Sequence, residues 1–314
     1  MDFSSMLLTV IGLAFFEVVV AVDNAVVNAH ILSTMSQKAR RWFLVWGMLI
    51  AVFLVRGLLP WLIVFSLNPA LGLWGSLTLS FSDDPSVAAM VAESEPVLLV
   101  AGGVFLLFLF FQWLFLQKKN RAVPWEAVFE GHGAWFYTVV SVLLTVVVWF
   151  ALERHPLMAF GAAVGSTLFF ITHGFKEYAE KKEADMVKSG GGGMSDWSKI
   201  FYLEVIDSAF SVDAVLGSFA FTLSVPLILV GNGIGALVVR QLTVHNITRI
   251  TSMKFLKNGA MYSIAVLGSI MLADAFGAHI PNWLSPAATF SILGYFVWRS
   301  MKEVDAQKPV KSAI

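Results

Sequence analysis

The stretch FFEVVVAVDNAVVNAH, residues 15–30, sets Glu17, Asp23 and Asn24 in a run that is otherwise almost entirely valine, alanine and phenylalanine. What surrounds these carboxylates follows from the chain as a whole. Of its 314 residues 58% are hydrophobic and 13% charged, and the mean hydropathy is +0.77. Such a chain is predicted to be an all-α polytopic membrane protein, because each crossing of a bilayer core takes about 20 apolar residues in a helix that satisfies its own backbone. Nine apolar runs stand between clusters of charge, proline and glycine: 6–32, 42–65, 96–116, 134–152, 157–175, 200–223, 226–244, 260–276 and 283–298. The first is too long, and the preceding MDFSS too poor in Lys and Arg, for a cleaved signal peptide, so it is expected to stay as the first span.

Cysteine is absent, which excludes disulfides, thiolate metal sites and Cys nucleophiles together. The formal net charge of zero gives no reason to expect a nucleic-acid partner. Lys and Arg concentrate in alternate loops: Lys38, Arg40 and Arg41 after the first run, Lys118, Lys119 and Arg121 after the third, Lys176, Lys181, Lys182, Lys188 and Lys199 after the fifth, Arg249, Lys254 and Lys257 after the seventh. Basic loops stay cytoplasmic. The N-terminus is therefore expected outside and the C-terminal tail inside, in the inner (plasma) membrane of a cell. Residues 67–95 carry Asp83, Asp84, Glu93 and Glu95 without one Lys or Arg, and read as a solvated outer loop, with Glu93 and Glu95 favourable near a helix N-terminus.

The stretch EKKEADMVKSGGGGMSD reads as a flexible cytoplasmic linker and divides the chain roughly in half. The opening stretch has a partner beyond it, EVIDSAFSVDAVLGSF at 204–219: Asp207 follows Glu17 by 190 residues, and Asp213 follows Asp23 by the same 190. WGMLIAVFLVRG at 46–57 and VGNGIGALVVRQ at 230–241 then match in placing Arg nine residues after Gly. Because the first run heads inward and the sixth outward, the repeat is inverted, the architecture of many secondary transporters with a midplane site between the halves. The expected organisation is a first repeat over 1–118 (spans one to three), additional spans four and five over 119–180, the linker over 181–198, a second repeat over 199–276 (spans six to eight), and span nine with the tail over 277–314. GAAVG at 161–165 and GNGIG at 231–235 read as sites of close helix packing.

A charge at the centre of a membrane helix costs roughly 2.5–3.5 kcal/mol, so Glu17, Asp23, Asp207 and Asp213 ionised and uncompensated cost on the order of 10 kcal/mol. Protonation, a counter-ion such as Arg56, or a bound cation offsets that. A divalent cation fits best, since hard cations take carboxylate and amide oxygens and Asn24 adds an amide. Glu17 and Asp23 lie about 120° apart around a regular helix. For both members of each pair to reach one ion, the helices are expected to be broken near Asp23 and Asp213, freeing carbonyl ligands. Glu204, Asp207 and Ser211 share one helical face. His132 and His173 lie near the expected cytoplasmic boundary.

EVVVAVDNAVV, EVIDSAFSVDAV and the Gly-to-Arg segments that follow them resemble the TerC family of integral membrane proteins, within the lysine-exporter superfamily of inverted three-helix repeats. The resemblance covers spans one to three and six to eight. It implies export of Mn²⁺ as a transported substrate, with no tightly bound cofactor, and an ion site of Glu17, Asp23, Asn24, Asp207 and Asp213 with Glu204 as a weaker member. Ala214 stands where the family pattern carries Ser, so no ligand is assigned there. Exporting Mn²⁺ against a negative-inside potential costs about 2.3 kcal/mol per charge per 100 mV, so a driving ion is needed, and protons exchanged at the same carboxylates can supply it. The chain is not expected to be an enzyme. A membrane-embedded, metal-dependent hydrolase is disfavoured, as no HExxH, GxSxG or Cys nucleophile occurs. A non-transporting scaffold that assists assembly of other proteins is the remaining alternative.

Overall fold

The computed structural model describes residues 3–21, 31–32, 34–47, 50, 57–58, 61–62, 65, 72–74, 85–188, 195–245, 253–281 and 283–307. Every described element is helical: α1 (Phe3–Val20), α2 (Gln37–Trp42), a π-helical turn (Phe43–Gly47), α3 (Pro85–Leu116), α4 (Glu126–Phe129), α5 (Gly133–Arg154), α6 (Pro156–Lys188), α7 (Asp196–Ser218), α8 (Val225–His245), α9 (Leu256–Ala275) and α10 (Leu284–Gln307). Five of these contain stretches long and apolar enough to cross a bilayer: Phe3–Val20, Ser94–Leu116, Gly133–Arg154, Pro156–Tyr178 and Leu256–Ala275. The protein is a polytopic helical membrane protein.

Its outer surface is as apolar as its core, which is what a bilayer selects and water does not. On α5, Trp135, Val142, Val146, Trp149 and Phe150 point outward, and on α6 Phe160, Ile171 and Phe175 do the same. The polar exceptions lie inward, among them Glu17, Ser211, Ser218 and Asn232. The centre is α3: 83% of its apolar stretch is buried, against 22% for α5, which places α5 at the periphery. Leu106, Phe105, Phe108 and Trp113 of α3 interlock with Phe169 of α6 and with Ile264, Leu267 and Met271 of α9 in one core.

Small residues let these backbones approach, since van der Waals contact rather than hydrophobicity holds helices together in lipid. At the α3–α9 crossing two glycines meet reciprocally. A Cβ on Gly103 would stand 3.0 Å from the Gly268 carbonyl oxygen, and one on Gly268 would stand 3.1 Å from that of Gly103. On α6, Gly161 and Gly165 press against the carbonyl oxygens of Val97 and Ala101 on α3, as GAAVG led one to expect.

The basic loops gather at one end of the bundle. Lys199 donates to the Thr34 carbonyl at 3.1 Å, and Asn120 to the Lys254 carbonyl at 3.2 Å. Trp42 and Trp197 meet edge-to-face at 5.1 Å. Beneath them Glu126, fully buried, accepts from Ala122 N–H at 2.8 Å, Tyr262 Oη at 2.9 Å and Asn258 Nδ2 at 3.1 Å, fastening the loop after α3 to α9. At the opposite end Arg154 donates to the Phe276 carbonyl at 3.2 Å.

Two helices run beyond the expected bounds. α3 begins at Pro85, so Glu93 and Glu95 lie within a helix and not in an outer loop; Pro85 suits a first helical turn, where its missing N–H needs no acceptor. α6 continues to Lys188, so 181–188 is helical where a flexible linker was expected. That segment, KKEADMVK, is rich in strong helix formers, and Lys181 reaches back one turn to Glu177 at 2.7 Å.

Candidate functional site

The buried face of α1 is Thr9, Gly12, Leu13, Phe16 and Glu17, a stripe at 3- and 4-residue spacing. Glu17 belongs to that stripe and is wholly enclosed. The stripe rests on α8, where GNGIG supplies the gap: a Cβ on Gly235 would lie 2.6 Å from both the Ala14 carbonyl oxygen and Glu17 Cβ, and one on Gly231 would lie 2.5 Å from Leu13 Cβ. Thus a glycine of the seventh predicted span gives the Glu17 side chain its room. The last turn of α1 closes with Ala21 N–H on the Glu17 carbonyl at 2.9 Å, and the helix ends at Val20, short of Asp23. Asp23, Asn24 and Arg56, expected as two ligands and a counter-ion, lie outside the described residues.

The second half is built differently. α7 runs unbroken from Asp196 to Ser218, straight through Asp213. The expected break is therefore not found there, and the physical reason is at hand: the charge is met by a side chain, with no carbonyls freed. Lys176 of α6 donates to Asp213 Oδ2, in a pair whose side chains are only 13% and 8% exposed. Asp213 Oδ1 is buried and has no hydrogen-bond partner among the described residues. Three serines of α7 return their hydroxyls to the helix, Ser208 to the Glu204 carbonyl at 2.7 Å, Ser211 to that of Asp207 at 2.7 Å, and Ser218 to that of Ala214 at 2.6 Å. Ser218 also receives the Asn232 amide at 2.9 Å, tying the end of α7 to α8. Asn232 is thus a buried link between helices and not a group lining an open path.

Glu204 stands one turn before Asp207 on α7. Both its oxygens are buried without a hydrogen-bond partner among the described residues. It faces the π-helical turn so closely that a Cβ on Gly47 would overlap Glu204 Oε1. Glu204 occupies the position 190 residues after Ala14, whose carbonyl oxygen would lie 2.6 Å from a Cβ on Gly235.

Among the described residues no three His, Asp or Glu side chains converge into a set that could hold a metal ion. What the structure brings together is Asp213 with Lys176, Glu204 with Gly47, and Glu17 with Gly235. Sequence reading missed Lys176, which it placed in a solvated basic loop; the helix formers after it were the available signal that α6 continues past Lys176 and carries it on a helix beside α7. His173 stacks on Phe169 at 5.7 Å, and His132 stands at the N-cap position of α5 without a side-chain cap bond. At the end of the bundle away from the basic loops, Glu95, Thr222, Ser224, Asp274 and Ser285 line a cavity of about 240 Å³.

A family model described as a protein of unknown function, DUF475, matches residues 22–307, and the chain belongs to that family. The chain is also similar to the uncharacterized membrane protein YceF of Bacillus subtilis (strain 168), at 30% identity over 102 residues. That match spans 32% of this chain and 38% of YceF. No solved structure matches significantly.

Proposed function

We propose that this protein is a secondary transporter that exports a divalent metal cation, Mn²⁺ first among them, in exchange for protons at carboxylates set between two inverted halves. The observation that carries the proposal is the burial of Glu17 and Asp213 in the protein interior, one on the first helix of each half, in a molecule whose outer face is lipid-like. Ionisable groups kept inside a membrane bundle at a cost of several kcal/mol mark ion pathways by default. The crossed glycines support the inverted halves: Gly235 on α1, Gly47 on α7, and Gly103 with Gly268 where the third helices of the halves meet. Reciprocal contacts of this kind are what a two-fold relation generates. The resemblance to TerC proteins supports Mn²⁺ as the substrate and Asp23 and Asn24 as the ligands that join the described acids.

In this reading the site faces the basic end of the bundle with its acids ionised and takes up the ion. Reorientation of one half against the other opens it toward the end where Glu95 and Asp274 line the polar cavity. Protons entering there neutralise the acids and release the metal. The basic end is cytoplasmic, with the N-terminus outside and the tail inside, in the inner membrane. The bilayer, a divalent ion and protons are the only partners the mechanism needs.

Transport in inverted membrane vesicles tests it. Mn²⁺ is expected to accumulate when the vesicle interior is acidic and to cease accumulating when a protonophore collapses the gradient. Accumulation that ignores the gradient contradicts proton exchange, and no movement of any divalent cation contradicts the proposal as a whole.

A further inference from the structure

We propose that Lys176 is a tethered cation that occupies Asp213 while the transport site is empty, is displaced when the metal arrives, and thereby sets the affinity for the transported ion. The inference rests on the divalent-cation reading above and adds a residue to it. Lys176 belongs to α6, a helix outside the two stretches whose sequences match. Its ammonium engages Oδ2, while Oδ1 is buried without a hydrogen-bond partner among the described residues, so the lysine holds one of the two oxygens and not both.

The physical need is plain. A buried carboxylate left without a positive neighbour is costly, so once the proton that displaced the metal has left toward the basic end, Asp213 needs a cation beside it until the next metal arrives. A lysine suits the task better than an arginine: it is a compact point charge on a flexible four-carbon stem and can withdraw toward water, whereas a planar fork binds two-pronged and lets go reluctantly. Lys176 sits near the end of the stretch of α6 able to cross the bilayer, with further helix beyond it to Lys188, so withdrawal toward that end needs only a change of rotamer. A cation that must be displaced lowers apparent affinity by the fraction of time the ligand is free: if Lys176 holds Asp213 nine-tenths of the time, the metal binds about tenfold more weakly than to the bare site.

The test uses the full chain in lipid nanodiscs, with Mn²⁺ titrated at fixed pH into wild type, Lys176→Gln, Lys176→Arg and Asp213→Asn, and initial rates measured in proteoliposomes. Lys176→Gln is expected to bind Mn²⁺ about tenfold tighter by the same competition arithmetic. Its KM falls and its kcat falls with it, because release slows. Lys176→Arg, which keeps the charge, is expected to stay within a few-fold of wild type, and Asp213→Asn to lose most binding. A well-folded Lys176→Gln that binds Mn²⁺ equally or more weakly, while wild type binds normally, overturns the tethered cation and leaves the transporter reading standing. Wild type that binds no divalent cation overturns both. Should Lys176→Gln not fold, wild type alone decides: saturating Mn²⁺ is expected to raise modification of Lys176 by an amine reagent several-fold, and unchanged or reduced modification overturns the proposal.

Discussion

The helices α1 and α7 carry matched acids 190 residues apart, yet each meets the problem of a buried charge in its own way. α1 stops at Val20, before its second acid, and seats its first, Glu17, against the glycines of α8. α7 continues through its second acid and pairs it with Lys176 of α6. The two matched stretches are therefore enclosed by different neighbours: glycines of α8 pack on Glu17, and the ammonium of Lys176 on α6 holds Asp213. An inverted repeat makes two equivalent frames, but helices added outside it can make the two acids unlike.

Removing the compensation on the α7 side is expected to have the largest effect on stability. Lys176→Met leaves Asp213 buried against an apolar side chain and should lower the stability of the metal-free protein by about 3–5 kcal/mol. Lys176→Met with Asp213→Asn should recover most of that loss, and the double-mutant cycle reads the coupling. Denaturation followed in mixed micelles measures both; equal stability of wild type and Lys176→Met would show that the pair contributes nothing. On the α1 side, Gly235→Ala drives a methyl into the Ala14 carbonyl and Glu17. The expected cost is about 1–3 kcal/mol, with loss of transport, since the helix that carries Glu17 must move. An alanine at 235 that leaves both unchanged would mean that α1 and α8 are not locked there.

Smaller effects sharpen the comparison. Asn232→Ala frees Ser218 from its cross-helix amide but leaves the Ala214 carbonyl as its acceptor, so about 0.5–1.5 kcal/mol is expected in thermal denaturation, without change in ion selectivity. The smallest effect belongs to a pair remote from both acids. Arg121 donates to Glu130 at 2.7 Å and, with the nearby Lys119 and Lys118, holds that exposed carboxyl below its usual range. A depressed folded pKa stabilises above the ordinary carboxyl pKa of about 4.5 and loses that stabilisation as pH falls through the lower, folded value. Arg121→Gln should thus lower stability slightly at neutral pH and flatten the acid limb below pH 4.5. Unchanged acid limbs in the two proteins would remove the pair from consideration.

Much of this fold is legible in the sequence because lipid imposes simple rules. Apolar runs of about 20 residues become helices, and four of the described crossings, in α3, α5, α6 and α9, fall on runs three, four, five and eight. GAAVG and GNGIG are where backbones touch, as small residues at four-residue spacing imply. The misses share a cause. Residues 181–188 are mostly charged, and 85–95 join small apolar residues to Glu93 and Glu95 in a stretch too short to cross a bilayer; hydropathy is silent about such extensions of a helix. Local helix propensity governed there, and it was outweighed in the reading by acidic and basic charge. Lys176 was illegible for a further reason: 37 residues separate it from Asp213, and its role comes from which helices lie side by side. The π-helical turn at Phe43–Gly47, which brings Gly47 to Glu204, likewise has no sequence mark beyond the glycine.

The central claim is that the buried acids of both halves carry the ion. The most direct test is Mn²⁺ transport by wild type, Glu17→Gln and Asp213→Asn, reconstituted at equal amounts and shown to be equally folded. Transport by wild type and its loss in both variants is the predicted result, since each half supplies part of one site. Undiminished Mn²⁺ transport in either variant would contradict it.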